Sequence, residues 1–186
     1  IINNGFRFAL SGQPRALETA SDLSYTTGRH ISIAFWINWS VAPDANDNII
    51  VKFDDGNTND PPSITVDWST ILGVLNVGLA VATLTEDSTV QTPFTPTLGQ
   101  WYFFTVVYDA DTGIAVLYRD TVPILTTTPI FLPSVTTNRI AFWSSSLVLT
   151  ADYVVDETAW WFNHKLTASE ITFLYNSGAA NRPPGI

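Results

Sequence analysis

The chain reads as an all-β protein: a two-sheet antiparallel jelly-roll sandwich with one short C-terminal helix. Three features carry that reading. Short segments alternate apolar and polar side chains with a period of two, turn residues and prolines separate them, and a single segment near the end has helical spacing.

The first regular segment is ISIAFWINWSV at 31–41, which places Ile31, Ile33, Phe35, Ile37, Trp39 and Val41 on one face. Ser32, Ala34, Asn38 and Ser40 lie on the other, as in a half-buried strand. Trp36 breaks the pattern: an indole among small and polar neighbours requires either a covering element or a ligand. SITVDWS at 63–69 offers Ile64, Val66 and Trp68 to a core. In the next run Leu75, Val77, Leu79 and Val81 oppose Asn76, Gly78, Ala80 and Ala82, a nearly bare face that a backbone, an aromatic ring or a ligand can approach closely.

WYFFTVVYD at 101–109 is apolar on both faces, as expected of a central strand covered above and below. The turn DADTG then leads into IAVLYRD, so these two runs form a hairpin. RIAFW at 139–143 and DYVVDETAWWF at 152–162 supply two further strands. Pro61, Pro62, Pro93, Pro96, Pro129 and Pro133 are expected between the runs, where a missing ladder donor does no harm.

The helix follows from T-A-S-E at 167–170, a capping box in which hydroxyl and carboxylate satisfy opposite orphan backbone donors. Ile171, Leu174 and Tyr175 then form one apolar face, and Asn176 and Gly178 suit the left-handed geometry that stops a helix. A helix of about three turns is not stable alone. Its apolar face must lie on one sheet or on an end of the sandwich.

With 186 residues and no linker, repeat or low-complexity stretch, residues 1–186 are expected to form a single domain. Charged residues are 13% of the chain, about half the roughly 25% usual for soluble domains, so Thr, Ser and Asn must cover much of the surface. That composition fits an extracellular or virion-surface protein, or a subunit whose faces are partly covered by neighbours; it also fits an ordinary sandwich with a large aromatic core. Seventeen acids against eight bases give a net charge of -9, which disfavours nucleic acid and anionic membranes and makes cations the natural small partners. There is no Cys, so disulfide, thiol and Cys-metal chemistry are excluded. The longest apolar run, ILGVLNVGLAVATL, is too short for membrane insertion as a helix. The absence of Met, even at position 1, suggests a processed or truncated chain from which a leader has been removed.

DETAWWFNHKLTASEITFLYNSG resembles the closing signature of laminin G-like domains of the concanavalin A-like lectin/glucanase superfamily. Asp156, Glu157, Phe162, Asn163, Leu166, Thr167, Glu170, Ile171 and Gly178 carry the match. GQWYFFTVVYDADTGIAVLYRD is similar to that family's hairpin, through Gly99, Trp101, Val106, Tyr108, Asp109, Leu117, Tyr118 and Asp120, and ISIAFWINW resembles its early strand. The matches keep the family's order from Ile31 to Gly178 and imply its jelly-roll fold. The chain departs from the family by one extra residue between Glu157 and Phe162, by Thr121 where the hairpin usually has Gly, and by Ser11-Gly12 where Asp-Gly is expected.

DDGNTND at 54–60 puts Asp55, Asn57, Asn59 and Asp60 at spacings that suit a hard cation such as calcium, although it is not an EF-hand and such turns also occur simply as solvated loops. Glycan-cleaving enzymes need paired carboxylates. Glu18, Glu86, Glu157 and Glu170 are isolated, and Asp156 and Glu157, adjacent on a regular strand, point to opposite faces. His30 and His164 have no partner pattern, so no catalytic machinery is visible. Trp143 opens onto Ser144, Ser145 and Ser146, where an indole beside hydroxyls can stack on a sugar ring or plug the sandwich end. Of Trp160 and Trp161, one should face inward and the other outward or under the helix. The chain is therefore expected to be a non-catalytic adhesion or binding module for a glycan or glycan-bearing surface, with Trp143, Ser144, Ser145 and Trp36 as ligand-binding candidates. The rival expectation is a structural or decoration subunit of a virion or extracellular filament, assembling with copies of itself through low-charge faces.

Overall fold

The computed structural model describes residues 6–8, 16–18, 28–41, 49–54, 63–71, 74–134, 139–143 and 152–180, with side chains described for 28–41, 63–69, 75–134 and 153–175. Its strands are β1 (Phe6–Phe8), β2 (Ala16–Glu18), β3 (Ile31–Val41), β4 (Ile49–Asp54), β5 (Ser63–Ile71) and β6 (Val74–Ala82), followed by β7 (Asp87–Pro93), β8 (Trp101–Asp109), β9 (Ile114–Arg119), β10 (Val122–Thr126), β11 (Arg139–Trp143) and β12 (Asp152–Phe162). One helix, α1 (Ala168–Ala180), follows. The strands form two antiparallel sheets, the first ordered β1-β12-β3-β8-β9-β10 and the second β2-β11-β4-β5-β6-β7.

The alternating side chains decide how the layers stack. Ile31, Ile33, Phe35, Ile37 and Trp39 of β3, with Phe104, Val106 and Tyr108 of β8, face Ile64, Val66 and Trp68 of β5 and Val77, Leu79 and Val81 of β6. Aromatic rings tie the two layers together: Trp39 meets Trp68 edge-on at 5.2 Å, and Phe94 stacks on Trp68 at 5.3 Å. Such pairs add about 0.5–1.5 kcal/mol each beyond the area they bury. Arg119 lies over the Phe94 ring at 4.7 Å. The segment after β10 closes one side, where the Tyr108 hydroxyl donates to the Ile130 carbonyl at 3.1 Å and accepts the Leu132 amide at 3.0 Å. Gly113 is required there, because it has φ +70 and a Cβ would press on the Ile130 backbone at 3.1 Å.

β8 is buried on both faces from Tyr102 to Tyr108, as its apolar run predicts. Four strands are not legible from alternation, and a fifth, β4, sets Ile49, Val51 and Phe53 against Ile50, Lys52 and Asp54 over only six residues. β1 and β2 have three residues each, and β7 is a largely polar edge strand. β10 is an edge strand with a register shift after Pro123. Pro93, expected between runs, is the last residue of β7.

β12 departs from a regular strand. Its register against β3 shifts between Asp156 and Ala159, and Glu157 adopts φ 47 while its amide donates to Asp156 Oδ1 at 2.8 Å. This β-bulge absorbs the extra residue after Glu157. The expectation that Asp156 and Glu157 simply point to opposite faces of a flat strand is corrected accordingly. Past the bulge, Trp161 packs beneath the helix. Trp160 pairs with Ile33 at a core register yet stays 40% exposed. Pairing with β1 covers only Tyr153 to Val155 of β12.

The β9–β10 turn places Asp120 at φ 50 and Thr121 at φ 80. Asp120 is fixed by a backbone bond to the Phe103 carbonyl and by its Oδ1, which accepts the Phe103 amide at 3.0 Å. Thr121 has no such excuse: a β-branched residue is strained at positive φ. Thr121→Gly is expected to stabilise the fold by about 1 kcal/mol despite glycine's entropic cost. An unchanged or lower urea midpoint would count against strain at this turn.

Candidate functional site

The outward face of the first sheet is closed. Ala34 and Trp36 of β3 and Phe103 and Val107 of β8 form a second apolar patch, covered by Leu166, Ile171, Leu174 and Tyr175. Tyr175 stacks on Trp36 at 5.5 Å, and Phe103 meets the same indole at 5.2 Å. The helix start is built as its sequence predicts: the Thr167 amide donates to Glu170 Oε2 at 2.8 Å, and the Glu170 amide donates to Thr167 Oγ1 at 3.3 Å. These hydrogen bonds, the backbone one first, with a further one from His164, hold the Glu170 carboxyl below the usual carboxylate range. The helix continues to Ala180, two residues past the expected stop at Gly178.

The approach to the helix is fastened to β3. The Ser32 hydroxyl donates to the His164 carbonyl at 3.0 Å and accepts the Leu166 amide at 3.1 Å, and the Asn163 amide donates to the His30 carbonyl at 2.7 Å. Asn163 takes φ 62, which a short amide side chain tolerates. Trp36 is therefore 3% exposed and covered by the helix, so as folded it offers no surface to a ligand. Of the two readings open for it, the covering element is the one observed.

A polar cluster lies at the β8–β9 turn. His30 Nδ1 accepts the Ala110 amide at 3.1 Å and stands 3.4 Å from Asp109 Oδ1, while His30 Nε2 stands 3.9 Å from Asp111 Oδ2. Lys165 Nζ donates to Asp109 Oδ2 at 2.8 Å. Burial works to raise the Asp109 carboxyl, but hydrogen bonds from Lys165 and the Asp111 amide, with the charges of Lys165 and His30, hold it below the usual range. The same contact with Asp109 raises Lys165. The ligand atoms of His30, Asp109 and Asp111 lie within 4.8 Å of one another, the one such trio among the described residues. The hydrogen bonds do not suit a metal. The Nδ1 lone pair is used by Ala110, so neutral His30 carries its proton on Nε2, and an ammonium already occupies Asp109. The cluster instead ties the start of β3, the hairpin turn and the helix approach together.

The outward face of the second sheet differs in character. Ser63, Thr65, Asp67 and Ser69 of β5 sit opposite Ala82, Ala80, Gly78 and Asn76 of β6, which in turn face Asp87, Thr89, Gln91 and Pro93 of β7. The bare face expected on β6 is thus a floor between polar walls. Asp67 lies over Gly78, where a Cβ would collide with its carboxyl. Asp67 Oδ1 and Ser69 Oγ are enclosed and lack hydrogen-bond partners. Burial pushes the Asp67 carboxyl up to about 6, with partial relief from its own backbone amide. Burial, then the neighbouring Asp156 charge, also raises Glu157 at the bulge. Sequence reasoning gave the small residues of β6 but not Asp67, whose position becomes visible only once β5 and β6 are in register.

Trp143 closes β11 in this second sheet; its side chain, with Ser144, Ser145 and the 55–60 loop holding Asp55, Asn57, Asn59 and Asp60, lies outside the described residues.

The strands thus form a two-sheet antiparallel sandwich with a helix over the outer face of the first sheet. Residues 12–172 match a laminin G family model described as concanavalin A-like lectin/glucanases superfamily, and the chain belongs to that family. No curated protein sequence matches the chain. Among solved structures, it is similar to the binding domain of botulinum neurotoxin serotype G, at TM-score 0.62 and 12% identity over 96% of this chain and 48% of that one. It is also similar to a heptameric SAP-like pentraxin from Limulus polyphemus, at TM-score 0.62 and 14% identity over 94% and 83% of the two chains. A third similar structure is the serotype D ligand binding domain in complex with N-acetylneuraminic acid, at TM-score 0.64 and 15% identity over 94% and 42%. The chain spans about half or less of these neurotoxin domains, and the likeness at such identity is one of fold.

The helix lid has a direct test. Tyr175→Ala is expected to cost about 2 kcal/mol, less than truncation of a fully buried aromatic, and to raise quenching of tryptophan fluorescence by acrylamide as Trp36 opens to solvent. Unchanged stability and quenching would show that Tyr175 does not cover Trp36.

Proposed function

We propose that the chain is a non-catalytic binding module that recognises a glycan or a glycan-bearing surface outside the cell. One observation carries the reading: the helix covers the outer face of the first sheet, whereas among the described residues the second sheet presents a polar, small-residue face. That face offers hydroxyl, amide and carboxyl groups above a floor of Gly and Ala, the chemistry that meets sugar hydroxyls. The serotype D neurotoxin domain seen with N-acetylneuraminic acid shares the fold and supports a glycan as the ligand class. Within this reading Trp143 stacks on a sugar ring beside the hydroxyls of Ser144 and Ser145, and Asp55, Asn57, Asn59 and Asp60 hold calcium.

The non-catalytic part rests on the carboxylates. Glu170 is committed to the helix cap, Glu86 is exposed, and Glu157 sits beside Asp156 in a bulge instead of across a cleft.

A glycan array, run with and without EDTA, is expected to show saturable binding that weakens at least about tenfold in Trp143→Ala, the loss of one stacked ring. Binding that survives this substitution would remove Trp143 from the site, and a silent array would remove the glycan reading.

A second reading, a self-assembling structural subunit, has its own support. Leu84, Phe131 and Phe173 are 80%, 58% and 70% exposed, charge is sparse, and mean hydropathy is +0.16. The similar pentraxin is heptameric, which supports an assembling subunit. Light scattering at micromolar concentration is expected to show large particles under this reading; a monomer in every buffer would end it.

A further inference from the structure

We propose that Asp67 and Gly78 form a two-position carboxyl switch on the outward face of the second sheet: neutral and laid over Gly78 in mild acid, ionised and turned out to water at neutral pH.

The resting geometry explains why two positions exist. Asp67 Oδ1 is enclosed and accepts no hydrogen bond, so a charge there gives up hydration that the residue's own backbone amide only partly replaces. A neutral carboxyl has much less to lose. Among the described side chains, no group of opposite charge is a cause of its shift. In register with Asp67, β4 brings Ile49 and β6 brings Gly78, with Gln91 of β7 beyond; Thr65 and Ser69 flank it on its own strand. The charged positions of the neighbouring strands are Lys52 and Asp54 on β4 and Asp87 on β7. The raised value comes first from burial, with the backbone amide opposing it.

Glycine supplies the second element. Only a residue without Cβ leaves the strand surface free to receive the carboxyl, since a methyl at 78 would occupy the same space. Ala80 next along β6 keeps the surroundings low, so rotation about the Asp67 side-chain bonds suffices to bring the ionised group out. Above the transition the face carries an extra negative charge and a mobile acceptor; below it, neither.

The sign of the stability effect follows. The folded-state value near 6 exceeds the ordinary 3.8, so the folded protein holds the proton more tightly than the unfolded chain. The Asp67 contribution to stability is fully present below its ordinary value and is lost as pH rises through about 6, opposite to that of Asp109 and Glu170.

The experiment is a carbon-detected NMR titration of the Asp67 carboxyl between pH 3.5 and 8, with thermal unfolding at each pH. The wild type is expected to titrate near 6, and the part of its unfolding temperature lost between pH 5 and pH 8 that Asp67→Asn abolishes should be about 5 °C. Gly78→Ala is expected to return the midpoint to the ordinary carboxylate range by denying the covered position. A wild-type midpoint near 4 would overturn the proposal, as would a midpoint in Gly78→Ala that stays near 6. If Gly78→Ala does not fold, the wild-type titration alone decides the matter.

Discussion

The first sheet has apolar side chains on both of its faces, and the rest of the molecule is arranged around covering them. Ile33, Phe35, Ile37 and Phe104 require one partner layer and Trp36, Phe103 and Val107 require another. Burial of such side chains is worth roughly 1.5–3 kcal/mol each, which makes neither cover dispensable. The second sheet provides the first cover. A single helix provides the second, and this is why an otherwise strand-built chain contains one. The buried Ser32 hydroxyl, which holds both the His164 carbonyl and the Leu166 amide, sets the point at which the chain turns from strand to lid.

How much of this was legible in the sequence depended on how strictly each segment kept its period. β3 alternates except at Trp36 and β8 is apolar on both faces, and both fall where their patterns place them, although β3 is buried on both faces instead of half-buried. The capping box at Thr167 gave the helix start, because its two reciprocal bonds are local and need no knowledge of the fold. β7 hid because an edge strand can be polar, and β1 and β2 hid because three residues cannot show a period. The bulge in β12 needed the partner strand: one extra residue is visible in sequence, but where it is absorbed depends on the Trp36–Asp156 and Ala34–Ala159 pairs.

The candidate site was less legible for a related reason. Trp36 stood out as an indole that needed a neighbour, and sequence alone could not choose between Tyr175 and a ligand. Asp67 carries no signal in sequence, since an acidic residue on the polar side of a strand is ordinary until the residue opposite proves to be glycine. Local spacing reports what a strand wants on each face; it does not report which residue of another strand arrives there. The functional surface is made of such arrivals, and the family membership narrows the fold without naming them.

The prolines on β7 and β10 bear on how copies of this chain could associate. Both strands are outermost, one in each sheet, and Pro93 and Pro123 remove amide donors along those borders, with a register irregularity beside the second. Borders interrupted in this way are poor templates for strand-by-strand extension into a continuous ribbon. Any polymer built from this chain through these two borders would have to grow by docking of side-chain surfaces, leaving each sandwich with its own closed set of backbone bonds.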